Sequence, residues 1–231
     1  MVAQAKWLNI LLVLSMSAFA SAAIPDRATM KGKMLPDSDL TLEELLLLPE
    51  PNRLALSIGK NEFYPLLIEK AFDEKAGMDL RWKSLTLAAA IRKQGSEPDM
   101  MKAASHKSWF MRNAALLAIQ SYSPKAAEQL ALKLLNDNAL VVRSAAVSVL
   151  TKSTDQQVRN RLWAEFHDQK NVRNKQNLWI KEQILKHLAA YPQQQELSIF
   201  KKLAEDQDVK FKKIASNSLK NLERPSSAPL R

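Results

Sequence analysis

The chain has 231 residues, of which 46% are hydrophobic and 25% are charged, with no cysteine, four glycines and a formal net charge of +10 at pH 7. The apolar content is sufficient for a folded core, and the absence of cysteine excludes disulfide bonds and thiol catalysis. Since glycine occurs only at positions 32, 59, 77 and 95, a glycine-rich phosphate loop and a Gly-x-Ser-x-Gly nucleophile turn are also excluded.

Residues 1–22 are typical of a secretory signal peptide. Lys6 precedes the apolar run 7–16, and small residues at positions 20 and 22 fit a cleavage site after Ala22. The apolar run is shorter than the roughly 20 residues needed to span a bilayer, so a cleaved signal is favoured over an uncleaved membrane anchor. We therefore expect a periplasmic or secreted protein that is not an integral membrane protein.

The next segment, residues 23–40, contains two prolines and a glycine and predicts a flexible leader. Thr41 and Glu44 then have the spacing of a capping box ahead of the run Leu45–Leu48, and Pro49 ends the run. Residues 41–60 are expected to form an irregular cap at one end of a repeat array, because terminal repeats need a polar outer face.

A repeat of 31 residues organises the chain from about residue 60. Its marker is a basic residue in the second helix of each repeat, with spacings of 31, 31, 38 and 31. Self-similarity at such a period predicts a stack of helix pairs. The basic residues are Arg81, Arg112, Arg143, Lys181 and Lys212. The first helices are predicted at 62–73, 97–105, 124–135, 155–166 and 194–203, and the second helices at 79–91, 109–119, 140–150, 178–188 and 209–219.

Two positions of the second helices predict the seam between neighbouring repeats. The position three residues after the basic residue is mostly small, and the position seven residues after it is mostly aliphatic. Both positions lie on one stripe of the helix. The first set is Ser84, Ala115, Ala146, Ile184 and Ala215, and the second is Ala88, Ile119, Leu150, Leu188 and Leu219. Short polar residues near the starts of these helices are predicted N-caps: Asp79, Ser108, Asn138, Asn177 and Asp208.

The 38-residue interval contains seven additional residues, which we place in the polar run 168–176. Insertions in repeat proteins map to loops on one face, so this run is a candidate functional loop. A helix longer by two turns is the alternative. Residues 223–231 predict a disordered tail, and no alternating β pattern is evident.

The second-helix pattern Val-Arg-x-x-Ala-x-x-x-Leu, best seen in Val142–Leu150, resembles HEAT-type repeats over about residues 60–222. The short period is similar to that of the subclass in phycobiliprotein lyases, whereas the Trp…Leu-Gly…Tyr…Pro pattern of tetratricopeptide repeats is missing. The resemblance implies an all-α fold, a right-handed α-solenoid of about five helix pairs with an armadillo-type superhelix over residues 41–222. It also implies that Arg81, Arg112 and Arg143 pair with groups of adjacent repeats and are structural.

Catalytic patterns are scarce in this sequence. The three histidines are far apart and none has metal-ligand spacing, so we expect no metal and no cofactor. Alkylpurine DNA glycosylases are basic HEAT-like proteins that carry tryptophans. This chain is similar in its basic charge and in having Trp82, Trp109 and Trp179 in second helices. The export signal argues against such an enzyme and against nucleic acid as a partner. Trp109 and Trp179 are expected to pack between repeats.

The leading hypothesis is an exported, non-enzymatic scaffold of the cell envelope that binds a protein partner. The alternative is electrostatic binding of an anionic polymer or membrane surface through the basic half, since residues 151–231 contain 16 Lys/Arg and 9 Asp/Glu. Helix geometry places candidate partner contacts off the seam at Lys83, Asn113, Ser144, Glu182, Lys186 and Lys213. The electrostatic alternative involves Lys175, Lys181, Lys186, Lys210, Lys212 and Lys213.

Overall fold

The structure, a computed structural model, describes Leu35 and residues 40–223. The expected signal peptide 1–22, nearly all of the leader 23–40 and the tail after Glu223 lie outside the described residues. The chain divides into two compact units, one ending at Ala55 and one beginning at Leu56.

The first unit contains helix α1 (Leu42–Leu47), which begins at a capping box. The Thr41 hydroxyl oxygen accepts from the Glu44 N–H at 3.2 Å, and the Glu44 carboxylate accepts from the Thr41 N–H at 2.8 Å. The capping box predicted here is therefore confirmed. Helix α2 (Glu50–Ser57) follows Pro49.

All ten helices predicted after residue 60 are present in the described chain. Local pattern fixes them, because each combines an apolar stripe of period 3.6 with a proline or a short loop before its start. Their bounds are α3 (Tyr64–Phe72), α4 (Met78–Arg92), α5 (Glu97–Ala104), α6 (Trp109–Tyr122), α7 (Pro124–Leu134), α8 (Leu140–Leu150), α9 (Gln156–His167), α10 (Trp179–Ala190), α11 (Leu197–Ala204) and α12 (Val209–Glu223). Single 3-10 turns precede or follow several of them, at Asn61–Phe63, Lys93–Ser96, Gln169–Asn171 and Gln194–Glu196.

Helix packing in the second unit follows the predicted pairing. The pairs α3/α4, α5/α6, α7/α8, α9/α10 and α11/α12 are in contact, and the second helices α4, α6, α8, α10 and α12 form a row in which each packs against the next. Helix α6 thus packs against four others, namely α4, α5, α7 and α8. A second helix in the middle of this row is covered on several sides.

The predicted seam is confirmed by burial. All five residues of the first set are buried, as are the first four of the second set, with Leu219 half-buried. Small residues such as Ala115 and Ala146 allow the helix axes to approach, and Ile119 and Leu150 fill the space beside them.

The insertion after α9 is a loop and not a helix extension. After the 3-10 turn, β1 (Val172–Arg173) pairs antiparallel with β2 (Gln176–Asn177). Asn174 and Lys175 between them have φ of 51° and 63°, as a two-residue type I′ turn requires. This short hairpin departs from the expectation of a chain without strands.

The predicted N-caps are correct only in part. Asp208 accepts from the Lys210 N–H at 3.0 Å, and Ser108 occupies the N-cap position of α6 without a side-chain hydrogen bond. Asp79 lies inside α4, whose N-cap is Gly77. Asn138 and Asn177 precede the observed caps Ala139 and Leu178 by one residue.

Candidate functional site

Two second-helix arginines, Arg112 and Arg143, each join the loop before their own helix to the loop before the next second helix. Arg112 Nη1 donates to the carbonyls of His106 and Lys107 at 2.8 and 2.9 Å, which lie just before α6. Its Nε and Nη2 donate to the two carboxylate oxygens of Asp137, before α8, at 2.5 and 2.6 Å. This bidentate pair is among the strongest side-chain contacts available to an arginine.

Arg143 uses the same arrangement, whereas Arg81 joins the last turn of α3 to the loop before α6. Arg143 Nη1 donates to the carbonyls of Asp137 and Asn138 at 2.8 and 3.1 Å, and its Nε and Nη2 donate to Asn171 Oδ1 at 3.2 and 3.1 Å. Arg81 Nε donates to the Ala71 carbonyl at 2.9 Å, and its Nη2 lies 3.3 Å from His106 Nε2. The three guanidinium groups are therefore occupied by contacts between successive repeats.

A buried polar cluster supports the hairpin. The Glu165 carboxylate, on α9, accepts from Asn171 Nδ2 at 2.8 Å and from Lys170 Nζ at 3.0 Å. Arg143 contacts the same Asn171, so the loop leading into the hairpin is attached to both α8 and α9. Sequence reasoning missed Glu165 and Asn171.

These contacts bring the starts of all five second helices to one side of the second unit. We call this side the helix-start edge: the first turns of α4, α6, α8, α10 and α12 with the loops before them. At its C-terminal end Asn177 Nδ2 donates to Asp208 Oδ2 at 3.1 Å, and Lys210 Nζ donates to Glu182 at 2.9 Å. The hairpin lies on this edge directly before α10.

Exposed apolar side chains recur along the helix-start edge at the first residue of the second helices. The first residue of each second helix is apolar, and four of the five are exposed. Met78 is 42% exposed, Trp109 37%, Trp179 47% and Val209 77%, whereas Leu140 is half-buried. Trp109 and Trp179 are therefore only partly covered by the neighbouring repeats, because each stands in the first turn of its helix.

An open cleft of about 870 Å³ lies at the N-terminal part of this edge. We call it the loop cleft. The exposed apolar side chains of Met78 and Trp109 line it together with the loops that the Arg112–Asp137 pair holds. The complete lining is Met78, Ser105, His106, Lys107, Ser108, Trp109, Phe110, Arg112, Asn136, Asp137, Asn138 and Ala139.

Two ionisable groups of the loop cleft have shifted pKa values. Burial alone would raise the pKa of Asp137, but the hydrogen bonds from Arg112 and the Ala139 N–H have the larger effect. The pKa of Asp137 is therefore below its usual value, and the carboxylate is favoured. Burial and then the Arg81 charge lower the pKa of His106. Both ring nitrogens of His106 face donors, the Ser108 N–H at 3.0 Å and Arg81 Nη2 at 3.3 Å, which disfavours the doubly protonated ring.

Two predicted contact residues are not accessible. Asn113 is 2% exposed and Ser144 is fully buried, since central second helices are covered on more than the seam stripe. Ser144 Oγ donates to Gln183 Oε1 at 2.6 Å, which joins α8 to α10. Neither residue can therefore contact a partner at the surface of this fold.

The charged candidates fall into distinct environments. Lys83 pairs with Asp79 at 2.7 Å, and Glu182 accepts from both Lys186 and Lys210. Lys181 lies over the rings of Phe166 and Phe211, 5.0 and 5.9 Å from their centroids, and burial lowers its pKa. Three candidates are exposed without a carboxylate partner among the described residues: Lys175, Lys212 and Lys213.

The charged candidates divide between two positions along the second helices. The helix-start edge contains Lys175, Lys181, Glu182, Lys210 and Lys212, whereas Lys83, Lys186 and Lys213 follow its first turns. Met78, Trp109 and His106, which form the cleft, were not predicted as contacts. A signal for the loop contacts did exist, since His106 and Asp137 each follow an arginine of the repeat by 25 residues.

Within residues 40–223, no group of three or more His, Asp or Glu side chains is close enough to hold a metal ion. Helices there are also too short or too polar to cross a membrane.

No protein-family model and no curated protein matches the chain. Among solved structures, the crystal structure of an engineered protein is similar over 78% of this chain and 96% of its own, with 12% sequence identity and a TM-score of 0.41. A likeness at this level assigns neither a family nor a function.

Proposed function

We propose that this chain is an exported, non-enzymatic interaction module of the cell envelope, built as a HEAT-like α-solenoid, and that a protein partner binds at the loop cleft. The observation that carries the proposal is the exposure of Trp109 and Met78 in a cleft whose loops are fixed by Arg112 and Asp137. Exposed aromatic and methionine side chains are enriched in protein interfaces, where they provide most of the binding energy.

The row of second helices supports the solenoid part of the proposal. Successive helix pairs pack in the same order at intervals of 31, 31, 38 and 31 residues, and each pair contacts the next. Right-handed superhelical winding is the form that the resemblance to HEAT repeats implies.

The contacts within the loop cleft favour binding over catalysis. A glycosylase-like reaction would need a free carboxylate beside a tryptophan. Asp137 lies in the cleft with Trp109, but its two oxygens accept from Arg112 and from the Ala139 N–H. A carboxylate held in this way positions loops and is not available as a nucleophile or base.

The shape of the cleft favours a protein over a small molecule. Small-molecule sites enclose most of the ligand surface, whereas this cleft is open to solvent and rimmed by exposed loop residues such as Lys107 and Asn138. An apolar side chain of a partner can enter between Met78 and Trp109, while the loops offer hydrogen bonds around it.

Cross-linking in the intact envelope, followed by purification, tests the proposal. The wild-type chain is compared with the double variant Met78→Ala/Trp109→Ala and with Tyr191→Ala as matched control. Tyr191 is 77% exposed but stands after the opposite end of a second helix. We expect a partner that is recovered with the wild type and the control and falls at least about tenfold with the double variant. Equal recovery with all three chains would contradict a partner site in the cleft.

A further inference from the structure

A second surface of different character occupies the C-terminal end of the helix-start edge. It consists of Arg173 and Lys175 on the hairpin, Trp179 at the start of α10, and Val209 and Lys210 at the start of α12. We call these five residues the basic tip. All five are exposed.

The basic tip is held together by side-chain contacts across α10, the hairpin and α12. Asn177, in β2, donates to Asp208, the residue before Val209, at 3.1 Å. Lys210 reaches back to Glu182 of α10 at 2.9 Å. Trp179 and Val209 are therefore the first residues of two neighbouring helices that start on the same side, roughly 8–10 Å apart.

The apolar part of the tip consists of separate projections. Trp179 is 47% exposed and Val209 is 77% exposed, and the polar residues Asn177 and Asp208 lie between them. The centre of a protein interface is a contiguous apolar patch with a polar rim. Isolated apolar side chains on a polar edge fit the headgroup region of a bilayer better, and tryptophan is enriched there.

The charge of the tip complements an anionic surface. Arg173 and Lys175 form no ion pair with any described carboxylate. The nearby acids are engaged within the fold: Asp206 accepts from the Asp208 N–H at 2.8 Å, and Asp208 accepts from the Lys210 N–H at 3.0 Å. The positive ends of the α10 and α12 dipoles point to the same surface, and the net charge of the chain is +10.

We infer that the basic tip docks this protein onto the surface of an anionic phospholipid bilayer. Trp179 and Val209 enter the headgroup region, while Arg173 and Lys175, which have no carboxylate partner among the described residues, face lipid phosphates and keep their charges in water. Because the described helices include none that crosses a membrane, the association is peripheral. The inference does not depend on a partner in the loop cleft, which lies at the other end of the helix-start edge.

Sedimentation of the full-length chain with phospholipid vesicles tests the inference. One set of vesicles contains phosphatidylglycerol and phosphatidylcholine in equal parts, and the other contains phosphatidylcholine alone. We expect partition into the anionic set that weakens as NaCl is raised, because salt screens charges at a surface. Arg173→Gln and Lys175→Gln should each weaken partition about fivefold. Trp179→Ala should also weaken it severalfold, because the indole ring enters the headgroup region.

Tyr191→Ala is the matched control, since it removes an exposed aromatic side chain at the opposite end of α10 and should leave partition unchanged. Every variant is prepared in the same form as the wild type, so differences between variants report on the tip. Circular dichroism establishes that each variant is folded, and Lys175→Glu, at an exposed turn, provides a second variant that the fold tolerates.

Three outcomes would overturn the inference. The first is equal partition of the wild type into the two kinds of vesicle, or none into either. The second is partition that Trp179→Ala leaves unchanged and that heparin abolishes, which indicates a binder of soluble polyanions. The third is a protein captured through Trp179 with no vesicle binding, which assigns the tip to a protein partner.

Discussion

Arg112 and Asp137 form a bidentate ion pair that joins the loop before α6 to the loop before α8, with N–O distances of 2.5 and 2.6 Å. The Arg112 side chain is 16% exposed and that of Asp137 is 5% exposed. The pair therefore holds the loops of the loop cleft in place and also joins two successive repeats. Its loss should reduce the stability of the fold before it affects binding.

Removal of Asp137 tests this role. Asp137→Ala leaves the Arg112 charge partly buried without its partner, so we expect the free energy of unfolding to fall by about 3 kcal/mol. Urea denaturation measures the change. Glu74→Ala is the control, because Glu74 pairs with Lys107 on the exposed surface and its loss should give no measurable change. Equal changes in the free energy of unfolding for the two substitutions would show that the Arg112–Asp137 pair contributes no more to stability than the exposed Glu74–Lys107 pair.

Histidine burial predicts a loss of stability in mild acid. Burial is the main cause that lowers the pKa of His106, His167 and His187 below the usual 6.5. The unfolded chain then binds more protons than the folded chain as pH falls below 6.5, so this stability is present above pH 6.5 and is lost as pH falls through the folded pKa values. We expect a lower melting temperature at pH 5 than at pH 7.5. The lowered pKa values of Asp137 and Glu196 act at lower pH.

His106→Gln separates one of these histidines from the rest. Glutamine can accept a hydrogen bond from the Ser108 N–H but does not titrate, so the difference in melting temperature between pH 7.5 and pH 5 should become smaller. An unchanged difference would place the acid sensitivity at His167 and His187 and would leave His106 without a part in it.

The seam predicts opposite effects for two substitutions. The Ser84 hydroxyl is buried with no hydrogen-bond partner in the structure, so Ser84→Ala should stabilise the fold by about 1 kcal/mol. Ala115 is fully buried between helices, and Ala115→Leu should destabilise it by about 1–3 kcal/mol because the larger side chain overpacks the seam. Urea denaturation of both variants measures the two changes. A loss of stability in Ser84→Ala would show that the hydroxyl is hydrogen-bonded in solution.

The hairpin turn predicts that one substitution at Lys175 raises the stability of the fold and weakens membrane binding. Its φ of 63° is a conformation that glycine adopts at lower cost than lysine. Lys175→Gly should therefore raise the free energy of unfolding by about 0.5–1 kcal/mol, while it weakens partition into anionic vesicles. Thermal denaturation and vesicle sedimentation of the same sample measure the two effects. A parallel decrease in both would show that the lysine side chain supports the fold.

Sequence periodicity predicted the helices and their pairing because both depend on local residues. The apolar stripe and the proline at a helix start are each contained within a few turns of one helix. Burial of Ala115, Ala146 and their equivalents followed from the 31-residue register. The capping box at Thr41 and Glu44 was predictable for the same reason.

Tertiary structure decided which residues face solvent and which polar groups meet. Asn113 and Ser144 are off the seam but buried, because a central second helix is covered by three or four neighbouring helices. Trp109 and Trp179 were expected to pack between repeats yet are 37% and 47% exposed, because each is the first residue of its helix. Contacts such as the one between Arg112 and Asp137 join residues 25 positions apart, and only the stacking of two repeats brings them together.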